Sequence, residues 1–192
     1  DAVQTSLILG KPIFNANNAD YTAFILANTI LGGYFGSRLI QNIREQKGYT
    51  YSIHSPISFS EQANFWRINT DVKKEHHLDT IKEIYTEIER MQTDLVLTEE
   101  LQRVKNYISG NFVNALNTPF ATAQKYQRMY LNNLPTTFYD DFLDKLANIS
   151  AKEVLEVSQI GIFRIISNCG QYILINIKNE LTIAIIPKGI IF

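Results

Sequence analysis

Imidazole and thiol side chains, the usual ligands of a zinc site, are few in this chain: three histidines (His54, His76 and His77) and a single cysteine, Cys169. His76 and His77 are adjacent, so on a helix their rings point about 100° apart and cannot share a metal as residues one turn apart do. Both fall in the expected exposed first turn of a helix, an unfavourable place for an imidazolium. His54 lies on the polar face of a strand-like run, where a solvated histidine is the default. One cysteine supports neither a disulfide framework nor a cysteine-based zinc site. No Gly-x-Ser-x-Gly elbow accompanies the serines.

Gly32, Gly33 and Gly36 have the wrong spacing for a dinucleotide loop, and no Gly-Lys-Ser/Thr follows them. Two readings stay open for them: a mobile loop that touches a substrate, or a helix C-cap and tight turn. Arg44 stands near the end of an expected helix, where a cation interacts with the last carbonyls. Tyr51 shares strand parity with Ile53, Ile57 and Phe59, which marks it locally as a buried packing residue.

The elements that carry these residues follow from pattern. Val3 to Leu9 alternates as a strand and is broken by Gly10, Lys11 and Pro12. Asp20 is placed to cap a helix from Tyr21 to Leu31, apolar nearly all round and so expected to be buried, ending at Gly32 and Gly33. A second helix, about Gly36 to Lys47, carries Leu39, Ile40 and Ile43 on one stripe and stops at Gly48. Tyr51 to Phe59 and Trp66 to Val72 form period-2 runs joined by a polar loop, Ser60 to Ala63, as in a hairpin with one buried face. Helical spacing then governs Leu78, Ile81, Ile84, Ile88 and Met91, and again Leu101, Val104, Ile108, Phe112 and Ala115. Thr118-Pro119 opens a further helix in which Tyr126, Met129 and Tyr130 are expected to be core. Phe138, Phe142 and Leu146 mark another. Ser150 with Glu153 makes a capping box before Val154 and Val157. Tyr172 to Ile177 and Leu181 to Ile186 look like closing strands. The order of elements describes an α+β two-layer sandwich, a mainly antiparallel sheet with helices packed on one face.

Composition sets the outer bounds. At 192 residues the chain matches one domain on a scale of roughly 150 residues each, 1–192. With 45% hydrophobic residues, 11 Phe and 10 Tyr it is not an intrinsically disordered chain. A net charge of −1 provides no footprint for a nucleic-acid partner, and no membrane span is expected from its apolar runs. The chain opens on Asp1 with no leader before the first strand, so it is expected to be processed or excised, its compartment open between cytoplasm and periplasm.

The stretch from Asn28 to Tyr51, NTILGGYFGSRLIQNIREQKGYTY, resembles the second homologous domain of the insulinase/pitrilysin family of zinc metallopeptidases, of processing-peptidase type. The matching positions are Leu31-Gly32-Gly33, Ser37-Arg38-Leu39, and Arg44-Glu45 with Gly48 and Tyr51. The likeness runs to about residue 158 and lapses in the isoleucine-rich tail from 159 to 192, apart from Leu181 to Pro187. Catalytic halves of that family carry His-x-x-Glu-His, two imidazoles for zinc with a Glu as general base. None of the three histidines here has Glu three residues and His four residues downstream.

The resemblance therefore implies the half that binds no cofactor itself, with zinc on a partner domain. It implies that Arg44 and Tyr51 hydrogen-bond the substrate near the scissile carbonyl and stabilise the charge developing there. Gly32, Gly33 and Gly36 are carried beside this pair as candidate substrate-contacting residues, with the C-cap reading still open. The expected partners are a zinc-bearing homologous domain or subunit and an extended peptide bound by strand addition. The competing expectation is a catalytically inert scaffold or peptide-binding protein of the same fold.

Overall fold

The computed structural model describes residues 4–58, 64–115 and 118–160, together with the backbone of two strands at 172–177 and 180–184. Strand β1 (Gln4–Ile13) is followed by helix α1 (Tyr21–Asn28), which runs on into a π-helical turn at Thr29–Gly33. A second π-helical segment, Ile40–Gln46, precedes β2 (Thr50–His54), β3 (Ile57–Ser58) and β4 (Asn64–Lys73). Then come α2 (His77–Thr93), α3 (Thr98–Asn114), α4 (Pro119–Leu131), α5 (Phe138–Asn148) and α6 (Ala151–Gln159). Strands β5 (Tyr172–Ile177) and β6 (Glu180–Ala184) close the sheet. All the pairings are antiparallel, in the order β2-β4-β1-β5-β6, with β3 also on β4.

Strand β4 shows why there are two layers. Trp66, Ile68, Thr70 and Val72 are buried while Phe65, Arg67, Asp71 and Lys73 are exposed, so one sheet face is covered and the other open. On the covered face Leu7, Leu9, Ile53, Trp66 and Ile68 join Phe24, Leu26 and Ile30 from the α1 segment, Ile84 and Met91 from α2, and Val154 from α6 in one core. Burying each large apolar side chain of this kind contributes about 1.5–3 kcal/mol. This is the two-layer α+β architecture expected from the pattern.

Several expectations shift in detail. Strand β1 does not break at Gly10-Lys11-Pro12, because β4 pairs with it as far as Ile13. The described pairing with β5 ends at Gly10, so Pro12 has a strand neighbour on one side, where a missing N–H is tolerated. Asp20 does not cap α1 with its carboxylate; its backbone is already helical, and its N–H donates to the Asn18 side chain at 2.8 Å. Helical structure continues through Gly32 and Gly33 instead of ending before them. Leu78 is exposed, as is Ala115 at the end of α3. Of the expected α4 core, Met129 is buried, but Tyr126 and Tyr130 face solvent on a helix that packs by one narrow edge. Val3, Phe59, the Ser60–Ala63 loop, Cys169 and the end of the last strand at Ile185 and Ile186 lie outside the described residues.

The predicted caps of α4 and α6 are present. Thr118 Oγ1 accepts from the Ala121 N–H at 3.2 Å ahead of Pro119. The Ser150 N–H donates to Glu153 Oε2 at 2.8 Å, and Ser150 Oγ accepts from the Glu153 N–H at 3.2 Å. The backbone and then the hydroxyl hydrogen bonds of Ser150 hold the Glu153 carboxyl below its ordinary 4.5. A lowered carboxyl stabilises the fold above the unfolded-state value and loses that contribution as pH falls through the folded-state value. Glu153→Gln is therefore expected to lower the urea midpoint near pH 7, with the difference from the parent chain shrinking as pH falls through the lowered folded-state value.

Candidate functional site

Asn28 is the last α-helical residue before the chain widens into a π turn, and its side chain is 5% exposed. Its amide Nδ2 donates to the Ser55 carbonyl at 2.8 Å, and its Oδ1 accepts from Trp66 Nε1 at 2.6 Å. Ser55 returns a bond from its N–H to the Gly32 carbonyl at 3.0 Å. The end of α1 is thereby locked to the β2–β3 connection and to β4. Gly32 lies inside this lock: a Cβ there would stand 2.6 Å from Ser55 Oγ and 2.9 Å from Leu39 Cδ1. Gly32 is buried, and these contacts make it a close-packing position. Gly33 and Gly36 are exposed.

After Gly33 the chain makes a tight turn, Tyr34-Phe35-Gly36-Ser37, closed by the Ser37 N–H donating to the Tyr34 carbonyl at 3.0 Å. Tyr34 tucks its ring against Tyr107 of α3, centroids 5.0 Å apart, and burial pushes its hydroxyl above the usual tyrosine range. A side chain on Gly36 would meet the Tyr34 ring at 2.7 Å. Phe35 is left at the tip, 63% exposed.

The next helix starts at Arg38 and turns π-helical at Ile40. Its buried stripe is Leu39, Ile40 and Ile43, as the spacing predicted. A polar edge ties it to the helical layer: Arg38 makes a two-pronged bond to Glu100 at 3.0 and 2.8 Å. Asn42 donates to Glu83 at 3.1 Å and to Glu87 at 2.8 Å, and Lys47 reaches Glu83 at 2.9 Å. Arg44 stands apart from this belt. Among the described residues Glu45 is the one carboxylate in ion-pair range of it, at 3.3 Å from Nε.

Gly48, at φ +65°, reverses the chain, and the Tyr49 N–H donates back to the Ile43 carbonyl at 3.0 Å. An L side chain would meet no atom at Gly48 but would be held in the unfavourable left-handed region. Strand β2 then carries a bulge. From Thr50 to Ile53 it advances three residues while β4 advances two, from Val72 to Thr70. Thr50 and Ile53 both take the covered face, and Tyr51 is turned out, 86% exposed, beside Ile53 at 0%. The expectation that parity buries Tyr51 with Ile53 fails for this reason: the extra residue resets the alternation. The Thr50 and Thr70 hydroxyls, 2.9 Å apart and each 2.9 Å from the Ser52 carbonyl, hold the bulge in place.

These turns bring Arg44 and Tyr51 together. The guanidinium carbon lies 5.3 Å from the centre of the Tyr51 ring and 4.9 Å from that of Phe35, a ring that sequence spacing did not single out. An aromatic pair, Tyr34-Phe35, between Gly33 and Gly36 was the available signal. The cluster can present guanidinium N–H groups and a phenolic O–H to an acceptor oxygen at the surface.

Metal chemistry finds no such grouping. His76 stacks on Tyr49 with centroids 4.5 Å apart, His77 packs its Nδ1 against the Lys74 carbonyl, and His54 is exposed at the end of β2. Among the described residues no three His, Cys, Asp or Glu side chains are grouped to hold an ion. The described residues do not fit a zinc site.

With fold and site in place, comparison with known proteins assigns the class. The family model for the peptidase M16 inactive domain matches residues 1–108, and the chain belongs to that family. A Streptomyces coelicolor protein named an uncharacterized zinc protease is 24% identical over 156 residues, 81% of this chain and 34% of the relative. A Helicobacter pylori protein named a non-peptidase homolog is 31% identical over 139 residues, 65% of this chain and 29% of the relative. The chain thus spans about a third of the length of these curated relatives. The inactive peptidase domain of a zinc protease from Bordetella parapertussis superimposes with a TM-score of 0.78 at 13% identity, over 96% of this chain and 97% of that one, and so shares the fold.

The two arginines of the Ser37–Arg44 stretch have different expected effects when removed. Arg38→Ala leaves Glu100, 20% exposed, without its partner, and a loss of about 2–3 kcal/mol is expected in urea unfolding. Arg44→Ala is expected to change stability by less than about 0.5 kcal/mol in the same measurement, since its neighbours are solvent-exposed.

Proposed function

We propose that this chain is the non-catalytic half, as a domain or a subunit, of an M16-type zinc metalloendopeptidase, completing a peptide-cleaving site whose zinc belongs to a homologous partner. The observation that carries this reading is the pairing of Arg44 and Tyr51 at the surface. A β-bulge in β2 and a left-handed glycine at Gly48 bring the guanidinium of Arg44 beside the exposed ring of Tyr51, two hydrogen-bond donors at the surface.

The chemistry is that of a donor pair. When a peptide carbonyl is attacked, its oxygen gains negative charge, and N–H and O–H groups already aimed at it are worth more than in water because they need no reorganisation. The guanidinium of Arg44 and the hydroxyl of Tyr51 serve as those donors. Strand β2 lies at the end of the strand order, and its outer edge offers backbone groups to an extended peptide, a mode that tolerates many sequences. Gly33 and Gly36 keep the adjoining turn narrow enough for a chain to approach.

A second reading, an inert scaffold or peptide-binding protein of the same fold, draws support from the Helicobacter relative's name as a non-peptidase homolog. Hydrolysis of a fluorogenic peptide separates the two. The expected result is no activity from this chain alone, activity on mixing with a zinc-bearing homologous half, and a loss of about 100- to 1000-fold with Arg44→Ala. Zinc-dependent cleavage by the chain alone overturns the proposal. Complex formation without cleavage, or cleavage indifferent to Arg44 and Tyr51, establishes the scaffold reading.

A further inference from the structure

We propose that Phe35 is a positioning residue for Arg44: its ring holds the guanidinium over Tyr51 so that the N–H donors are set before substrate arrives. As a statement about catalysis this rests on the donor-pair reading above; as a statement about geometry it stands alone.

Phe35 has no packing reason to be aromatic. It is 63% exposed at the tip of a turn, while its neighbour Tyr34 is fixed inward on Tyr107. With Tyr34 turned in and no room for a Cβ on Gly36, the turn has one orientation, and it delivers the Phe35 ring to Arg44 at 4.9 Å. The second ring, Tyr51, comes from the bulge in β2 on the far side of Gly48. The guanidinium is therefore flanked by rings from two separate segments, one fixed by the packing of Tyr34 on Tyr107 and the other by the Thr50 and Thr70 hydroxyls.

The choice of aromatic neighbours is chemically apt. A long arginine side chain loses substantial rotamer freedom when fixed, and a carboxylate fixes it by occupying the donors needed for catalysis. An aromatic face fixes it through the ring quadrupole and leaves the in-plane N–H groups to donate. Glu45, 3.3 Å from Nε, is a competing salt-bridge partner, and the two ring contacts hold the guanidinium against it.

The test uses Phe35→Ala, Phe35→Leu, Phe35→Tyr and Phe35→Trp, with two readouts. In the mixture with a zinc-bearing half, Phe35→Ala is expected to lower kcat by about 3- to 30-fold while KM changes less than about 2-fold. Tyrosine and tryptophan restore the rate; leucine, which keeps bulk without a π face, does not. In the chain alone, the Arg44 Nε–H signal, assigned by its loss in Arg44→Lys, is expected upfield from ring currents, and Phe35→Ala moves it toward the position of free arginine. Urea midpoints of the variants are expected to match the parent, which sets aside a folding defect.

An Arg44 signal unmoved by Phe35→Ala overturns the proposal even if activity falls, since the ring would then act on substrate directly. A moved signal with kcat unchanged in an active mixture overturns the catalytic role. A moved signal in a chain whose mixture is inactive even without substitution supports the placement of Arg44 by Phe35 and overturns the donor-pair reading instead.

Discussion

The side chain of Asn28 joins three parts of the chain at one point. It accepts from the indole of Trp66 near the start of β4 and donates to the carbonyl of Ser55 between β2 and β3, at the residue where α1 changes its helical geometry. Each of these groups is buried, and a buried polar group without a partner costs about 1–3 kcal/mol, so the three must be satisfied together or not at all. The widened turn that follows places the Gly32 carbonyl where Ser55 can donate to it. Everything downstream, from the Tyr34–Ser37 turn to the direction of the second helix, starts from that fixed point.

The second helix divides its polar residues between two duties. Arg38 and Asn42 face α2 and α3 and are committed to Glu100, Glu83 and Glu87, which seats the helix on the helical layer. Glu87 is nearly fully buried, and its charge is met by Asn42 and by Arg90 at 3.2 Å. With those positions engaged, Arg44 emerges at the surface end of the helix. The polar belt gives the helix its position, and the position exposes the arginine. A helix held by apolar contacts alone would be freer to rotate about its axis, because hydrophobic packing has little directional preference.

The uncovered sheet face is the other half of the arrangement. A sheet with helices on one side leaves alternate residues of every strand in solvent, and most of those here are polar or charged, such as Asp71, Arg67 and Lys73. Phe65 and Tyr51 are aromatic exceptions, and the exposure of Tyr51 is one that a bulge creates. Bulges interrupt a ladder and leave a residue unpaired, so they persist where the surrounding hydrogen bonds over-determine them. The Thr50 and Thr70 hydroxyls do that here, converting a parity position that belongs to the core into one that meets Arg44.

Much of the fold was legible because it rests on periodicity. The alternation in β4, the apolar stripes of α2 and α3, the caps at Thr118 and Ser150, and the left-handed Gly48 are local properties, and each was found where the residue types placed it. The absence of the His-x-x-Glu-His motif is likewise a fact of the sequence alone. What sequence left open depended on neighbours distant along the chain. Pro12 stays within a strand because β4 pairs past it, and Tyr126 and Tyr130 are exposed because nothing described packs on that side of α4. Gly32 is a packing glycine because Ser55 and Leu39 fill the space beside it. Tyr51 faces out because β2 takes one residue more than β4, a register decided by both strands together. Phe35 reaches Arg44 only after Tyr34 has found Tyr107. Sequence by itself determined most of the elements, the family signature and the presence of Arg44 and Tyr51; tertiary structure decided which faces are covered and so which side chains reach the surface, since burial is a property of contacts that no single segment contains.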